Sequence, residues 1–369
     1  MDFRFLRNVI IKGLILFAIS DLIFSSANPG MLGKITLYNH LTTGRQRFPF
    51  GEDSTHSYNL SLFSLDAMFA SHVISGGRKK PDEYRVIILG DSSVWGTLLR
   101  PEETLAGQLN DAGLMHCGRE FQAYNLGYPT ISLTKDLMIL DHALQYQPDL
   151  IIWLVSMEAF PLDTQIASPI VANNAANVIE LIRKYNLSID PNNPTLIHPT
   201  FWDKTLIGQR RALADLFRLQ IYGLMWSATG IDQTYPADFQ HAQTDFGTDI
   251  TYHNMVPPNL DVNKLAFGLI QAGVRMAGKT PLILVNEPML VSGGKNSDLR
   301  YNFLYPRWAY DQWREMMSVQ ARREGWNYYD YWNIIPANEF TNSAIHLTPT
   351  GEKMLAGRME QTILTQSCP

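Results

Sequence analysis

The sequence predicts an α/β protein in which helices cover both faces of a parallel sheet. Short apolar runs bounded by polar residues, such as residues 86–89 and 149–155, are typical of strands buried on both faces. Segments with helical spacing stand between these runs, and regular alternation of strands and helices is the pattern of a parallel sheet. Nearly half of the 369 residues are hydrophobic, so the chain can bury a full core.

The predicted elements alternate regularly in two parts of the chain, which we treat as two halves of one core, residues 84–160 and 261–369. Five strands are expected at residues 86–89, 122–126, 149–155, 281–285 and 328–331. Core helices are expected at residues 102–110, 133–146, 262–277, 308–324 and 351–364. Between the halves, residues 161–260 form an insertion with helices at 177–185 and 212–229, followed by a loop-rich cap at 232–258.

The N-terminal residues 1–28 predict a membrane anchor or a signal segment. Arg4, Arg7 and Lys12 precede or enter an apolar run at residues 13–20, which continues beyond Asp21. This arrangement fits insertion with the N-terminus inside. We expect an uncleaved anchor and an extracytoplasmic body, at the cell surface or in the periplasm; a cleaved signal and a secreted protein are the alternative. Residues 29–83 are expected to be a lead-in segment that packs on the core.

The helix at residues 212–229 is apolar, but Asp215 and Arg218 lie within it. A second membrane span is therefore disfavoured. We expect this helix to pack against the domain or to face a membrane partner.

Charge and cysteine usage exclude several classes of partner. The net charge is −5 and no basic stripe occurs, so nucleic acid is not expected. No CxxC motif or Cys/His cluster occurs, and His241 and His253 stand at irregular spacing, so neither a metal nor a cofactor is expected. Outside the cytoplasm Cys117 and Cys368 could form a disulfide; two unpaired buried thiols are the alternative.

Two polar motifs at the ends of predicted elements indicate nucleophilic chemistry. Gly90, Asp91 and Ser92 turn the chain at the carboxyl end of the first strand, where open α/β sheets place their reactive groups. Taken alone, this could equally be a strand-to-helix turn with a serine N-cap. His346 lies in a short loop before the last helix. Histidine is the side chain that supplies a serine nucleophile with a base.

Together these motifs resemble the SGNH, or GDSL-like, hydrolase family. The resemblance implies a flavodoxin-like three-layer α/β/α fold with a five-stranded parallel sheet. It implies that Ser92 attacks an ester carbonyl, with Ser93 as the fallback, and that His346 takes the serine proton and returns it to the leaving alcohol. The Ser92 backbone N–H and the start of the following helix would stabilise the oxyanion.

The third catalytic position departs from the family pattern. The family usually has an aspartate three residues before the histidine, where this chain has Ser343, with Asn342 one step earlier. Asparagine cannot stabilise an imidazolium by charge. Asn342 is our candidate. The alternatives are a serine–histidine dyad oriented by a backbone carbonyl, or a carboxylate from Glu287, Glu158, Asp330 or Glu339.

The oxyanion donors depart as well. The resemblance implies a backbone donor at Gly127, and Thr130 stands where a further glycine is expected. The family block Gly-x-Asn-Asp reads Val-Ser-Met-Glu at residues 155–158, so the asparagine amide is missing. Asn286, at the end of the fourth strand, is the candidate that would replace it.

An anchor combined with incomplete motifs is similar in layout to divergent membrane-anchored SGNH-like proteins that assist polysaccharide or teichoic-acid acylation. The resemblance implies a membrane-tethered serine O-acyl esterase or O-acyltransferase that acts on a surface glycan or similar polymer. It also implies a multispanning membrane acyltransferase as partner. The alternative is a domain that keeps the fold but has lost efficient catalysis and serves as a binding or assembly subunit of a membrane complex.

Overall fold

A six-stranded sheet forms the centre of this computed structural model, which describes residues 3–26, 36–50, 64–230, 235 and 238–368. Its strands are β1 (Glu83–Leu89), β2 (Met115–His116), β3 (Arg119–Asn125), β4 (Leu150–Val155), β5 (Leu282–Asn286) and β6 (Asn327–Asp330). They lie in the order β2-β3-β1-β4-β5-β6. All neighbours are parallel except β2, which pairs with β3 in the antiparallel sense.

The three-layer α/β/α prediction is confirmed, and the strand count is corrected from five to six. The five predicted strands are all present, and their order is that of a flavodoxin-like sheet. The additional strand β2 has two residues, Met115 and His116, and forms a short hairpin with β3. Two residues are too few to show a strand period in the sequence.

Alternate residues of the central strand face two different core clusters. Ile87 and Leu89 of β1 point into one cluster, and Val86 and Ile88 into the other. Every residue of β1 and β4 is buried, which explains their continuous apolar runs.

The helices of the core halves cover these two faces. On one face lie α6 (Leu133–Ala143), α10 (Phe267–Ala277) and α11 (Arg307–Glu324). On the other face lie α5 (Leu105–Asp111) and α12 (Pro349–Leu364). The predicted helix at residues 102–110 is split into a 3₁₀ turn, Pro101–Glu103, and α5, because Thr104 caps α5 with its side chain.

The lead-in segment packs on the core where it is described. It contains α2 (Tyr38–Leu41) and α3 (Leu65–Ser71), and α3 buries Leu65, Met68 and Phe69. Residues 27–35 and 51–63, which belong to the predicted lead-in and its junction with the anchor, lie outside the described residues.

The insertion contributes α7 (Pro169–Asn173), α8 (Ala175–Tyr185) and α9 (Arg210–Thr229). Ile170, Val171 and Val178 of α7 and α8 join the core cluster on the α6 face. The prediction for residues 232–258 falls partly outside the described residues, and the described part, from residue 238 onward, contains no helix or strand.

The two ends of the chain differ in how they relate to the core. Helix α1 (Phe3–Ser26) has 24 residues, buries none of them, and is long and apolar enough to be a membrane anchor or a signal sequence. At the other end, Cys368 forms a disulfide with Cys117 in the β2–β3 turn, with 5.5 Å between the two Cα atoms. The alternative of two unpaired thiols is therefore wrong.

Candidate active site

The turn after β1 positions Ser92 at the carboxyl edge of the sheet. It is the first residue of the one-turn helix α4 (Ser92–Trp95), whose N-cap Asp91 accepts a hydrogen bond from Ser93 N at 2.9 Å. Gly127 in the next loop has no room for a side chain, because a Cβ atom there would lie 2.5 Å from Trp95 N. The glycine therefore lets the loop after β3 lie directly against α4.

Ser92, His346 and Asn342 form a continuous hydrogen-bonded set. His346 Nε2 lies 2.7 Å from Ser92 Oγ, and His346 Nδ1 lies 2.8 Å from Asn342 Oδ1. With the Asn342 carbonyl oxygen toward the ring, Nδ1 carries the proton and Nε2 is free to accept the Ser92 proton. This is the tautomer that a serine nucleophile requires.

A tight loop makes this contact between residues four apart. Thr341 N donates to His346 O at 2.8 Å, and Phe340 pairs with Leu347 as an antiparallel bridge. Leu290 N donates to Ala344 O at 2.7 Å, which attaches the loop to the segment after β5. The loop therefore turns Asn342, and not Ser343, toward the imidazole.

The electrostatic environment keeps the imidazole neutral. Burial lowers the pKa of His346 to about 4, and the negative charge of Asp91 opposes this shift only in part. A neutral histidine can accept the Ser92 proton at neutral pH. The imidazolium that would form has no carboxylate on Nδ1 to stabilise it, since Asn342 is uncharged.

Some of the predicted oxyanion donors are free to bind an oxyanion, and others already donate to groups within the protein. Within the described part of the chain, the Ser92 backbone N–H makes no hydrogen bond and can serve a developing oxyanion. Gly127 N donates to Asn125 Oδ1 at 3.0 Å, and Thr130 N donates to Tyr128 O at 2.7 Å. The Asn286 amide donates to Asp330 and Tyr310. Asn286 therefore does not replace the missing amide, because its N–H groups already donate to these two residues.

None of the four acidic alternatives contacts His346. The Glu287 carboxyl group is hydrogen-bonded to Ser93 Oγ, and Glu158 pairs with His253 Nε2 at 2.7 Å. Asp330 binds Arg314, and Glu339 accepts from Thr348 Oγ1. Each of these four carboxylates, which were the alternatives to Asn342, is bound to a different partner. The Ser93 hydroxyl is likewise bound to Glu287 rather than to the histidine.

Lys135 is a supporting residue that the sequence reading missed. Its ammonium is fully buried and donates to Gly90 O at 2.7 Å and to Tyr128 O at 3.0 Å, while Asp136 balances its charge at 2.7 Å. It thus joins the turn before Ser92 to the loop after Gly127. The sequence offers no clear signal for this role, because Ser132, Thr134, Lys135 and Asp136 have the composition of an exposed first turn of a helix.

Two buried carboxyl groups lie beside the serine turn. Glu287 and Glu352 line a cavity of about 10 Å³ together with Ser93, enough space for about one water molecule. Burial, followed by the charge of Asp91, raises the pKa of Glu287 well above its usual range. Burial alone raises the pKa of Glu352 to about 8. Both groups are therefore largely protonated at neutral pH.

The fold and these contacts define a class of site: a serine–histidine–asparagine set at the carboxyl edge of a three-layer α/β/α sheet. No family model and no curated protein matches this chain. Similar solved structures include a lipolytic G-D-S-L family member from Veillonella parvula, 10% identical with a TM-score of 0.36, covering 76% of this chain and 99% of that one. They also include a carbohydrate acetylesterase family member from Sinorhizobium meliloti, which is 12% identical with a TM-score of 0.32. The match covers 76% of this chain and 99% of that one. An aryl esterase from M. smegmatis is 12% identical with a TM-score of 0.34, covering 76% and 98%. The fold class of this chain is given by its own strand order.

Proposed function

We propose that this protein is a membrane-tethered, extracytoplasmic serine O-acyl esterase or O-acyltransferase. The observation that carries the proposal is the 2.7 Å contact between Ser92 Oγ and His346 Nε2, with Asn342 on the other ring nitrogen. The nucleophile and its base are within hydrogen-bond reach, and a third group fixes the tautomer.

The proposed reaction uses these groups in two steps. Ser92 Oγ attacks the ester carbonyl while His346 Nε2 takes its proton, and the carbonyl oxygen becomes an anion that the Ser92 N–H stabilises. The alkoxide leaves with the proton from His346, which yields an acyl-serine. Water, or the hydroxyl group of an acceptor, then attacks the acyl-serine with the same proton transfers, which releases the acid or a new ester.

The location and substrate belong to the same proposal. Helix α1 is long enough to anchor the chain, and the disulfide between Cys117 and Cys368 is typical of proteins outside the reducing cytoplasm. The proposed substrate is an acetyl-type ester on a surface glycan or similar polymer. A multispanning membrane acyltransferase is the proposed partner that would supply acyl groups to it.

Labelling with a fluorophosphonate probe tests the catalytic part of this proposal on the full-length protein. We expect wild type to be labelled, S92A to lose labelling entirely, and H346A to react about 10²–10⁴ times more slowly. S93A is the matched control: it removes the neighbouring hydroxyl, which is bound to Glu287, and should leave labelling in place. Labelling lost in S93A and retained in S92A would overturn the assignment of Ser92.

A catalytically weakened binding or assembly subunit is the second candidate, and a specific observation favours it. Of the predicted oxyanion donors, only the Ser92 N–H lacks a partner among the described residues. Loss of one such donor costs about 10²–10³ in rate. A folded wild-type protein that resists the probe would favour this second candidate over the enzyme.

A further inference from the structure

Helix α9 presents an apolar face that the described protein does not cover. Its buried face carries Asp215, Leu216 and Leu219, and the two leucines pack with Ala67. The opposite face exposes Phe217 by 72% and Ile221 by 61%, and this face also includes Leu224 and Met225. A helix on the surface of a water-soluble domain normally turns polar side chains to that side.

The segment that leads into α9 touches the end of α1. Leu206 N donates to Asp21 Oδ1 at 2.7 Å, and the 3₁₀ turn Trp202–Lys204 contacts α1. Trp202 is 72% exposed beside this contact. Asp21 lies near the C-terminal end of α1, so this turn stands where a spanning α1 would leave the bilayer. Tryptophan is enriched at that level of membrane proteins.

The charges of this region also suit a membrane surface. Residues 201–229 carry four basic side chains, Lys204, Arg210, Arg211 and Arg218, and two acidic ones, Asp203 and Asp215. The whole chain has a net charge of −5, so the local excess of positive charge runs against the rest of the protein. Basic residues that flank an apolar helix face favour binding to anionic lipid headgroups.

We propose that α9 and the turn at Trp202 lie in the interface of the same bilayer that holds α1, with the exposed face of α9 in contact with lipid. This inference rests on the proposed membrane anchoring by α1. The occupant of the apolar face is the lipid surface itself. A second span is disfavoured because Asp215, in the second turn of the helix, is buried against the domain.

Site-directed spin labelling of the full-length protein in vesicles of phosphatidylethanolamine and phosphatidylglycerol tests this inference. The native cysteines form a disulfide, so a thiol-specific nitroxide without reductant reports on a single introduced cysteine. The test positions are F217C and I221C on α9. V319C and M354C are controls at exposed apolar positions of α11 and α12, and L14C reports on the middle of α1.

We expect labels at 217 and 221 to be severalfold more accessible to oxygen than to a water-soluble nickel chelate, at a depth of about 5–10 Å below the headgroup boundary. The control labels should show the opposite preference. If position 14 reports lipid while 217 and 221 match the controls, the inference about α9 is overturned and the anchor stands. If position 14 also reports water, both are overturned. Fluorophosphonate labelling of the same samples measures Ser92 reactivity separately, and a circular-dichroism spectrum equal to that of wild type shows that each variant is folded.

Discussion

At the amino edge of the sheet, Glu83 and Asp149 lie beside basic side chains, whereas at the carboxyl edge Glu287 and Glu352 line a cavity with mostly apolar walls and no basic residue. Glu83 binds Arg85 at 2.5 Å, and Asp149 binds Lys79 at 2.5 Å and Arg119 at 2.9 Å. Within the described residues, Glu287 and Glu352 each retain a buried oxygen with no hydrogen-bond partner.

The pKa shifts at the two edges have opposite directions. At the amino edge, burial raises the pKa values of Glu83 and Asp149, but the hydrogen bonds and charges of their basic partners outweigh it and lower both values. At the carboxyl edge, burial dominates and raises the pKa values of Glu287 and Glu352. The ion pairs of the amino edge therefore stabilise the fold. The carboxyl edge, which holds Ser92, contains neutral acids that would destabilise the fold if they ionised.

The largest expected effect comes from adding a carboxylate where the carboxyl edge lacks one. In N342D, an aspartate would face His346 Nδ1, raise the pKa of the imidazole and stabilise the imidazolium. The reverse change in a serine protease costs about 10⁴ in turnover, so we expect a gain of up to about 10⁴ in kcat/KM for p-nitrophenyl acetate.

N338D is the matched control for this variant, because Asn338 is exposed in the same segment and bonds to Glu339 instead of His346. It adds the same charge nearby and should leave the rate unchanged. Equal rates for N342D and wild type would show that Asn342 is not the group that orients His346.

A second comparison removes one buried cation from each edge. K135M and R85M each leave a buried acid without its partner, so both should lower the free energy of unfolding by about 3–5 kcal/mol in denaturant titrations. Only K135M loosens Gly90 and Tyr128 around Ser92. We expect it alone to slow fluorophosphonate labelling, by about 10².

If K135M does not fold, K135M/D136N removes the uncompensated charge and keeps the test open. Equal labelling rates for the Lys135 and Arg85 variants would mean that Lys135 contributes to stability and not to the geometry of the site.

The buried acids predict a pH dependence with a defined sign. The pKa of Glu352 is raised from 4.5 to about 8 in the folded protein, so the folded state binds more protons than the unfolded state between these values. The contribution of Glu352 to stability is therefore fully present below about pH 4.5 and is lost as pH rises toward 8, by up to about 1.4 kcal/mol per pH unit.

The glutamine of E352Q stays neutral, so this loss should be absent from the variant. Between pH 5 and pH 8 the free energy of unfolding should therefore fall by up to about 4 kcal/mol less in E352Q than in wild type. Urea unfolding at several pH values measures the difference. E83Q is the amino-edge control: the pKa of Glu83 is lowered, so its contribution is lost only below about pH 4.5. A pH 5–8 slope that is the same in E352Q and wild type would contradict the raised pKa.

The smallest of these effects concerns the disulfide, which lies at the amino edge in the β2–β3 turn. C117S/C368S should lower the free energy of unfolding by about 2–4 kcal/mol, because the bond closes a long loop in the unfolded chain. The rate of Ser92 labelling in the folded variant should equal that of wild type. A slower rate would show that the two edges are not independent.

Much of the fold follows from local patterns in the sequence. The apolar runs of β1 and β4 are visible because both faces of these strands are buried. The helix at residues 308–324 was expected within one residue of its observed start at Arg307, and both end at Glu324. The two-residue strand β2 was not predicted, because so short a segment carries no period.

Some residues of the candidate site could likewise be predicted from local motifs, whereas others depend on contacts between distant segments. The turn at Gly90, Asp91 and Ser92 after a strand, and the position of His346 before a helix, could be predicted because each motif is local. The choice of Asn342 over Ser343 or a distant carboxylate depends on how the loop at residues 340–347 closes. The side-chain amide of Asn286 donates to Asp330 and Tyr310, which lie 44 and 24 residues away in the chain, so the sequence could not show that its N–H groups are already bonded.

The sequence by itself therefore determined the layers of this protein, the turn at Ser92 and the loop at His346. The family resemblance added the flavodoxin-like sheet and the pairing of this serine with this histidine. Only the tertiary structure decided which groups support them, joined Lys135 to Gly90 and Tyr128, and left one face of α9 exposed beside α1. The physical reason is the distance along the chain over which each interaction acts. Burial patterns and turns act between neighbouring residues, whereas hydrogen-bond partners and desolvation are fixed by segments that meet only after folding.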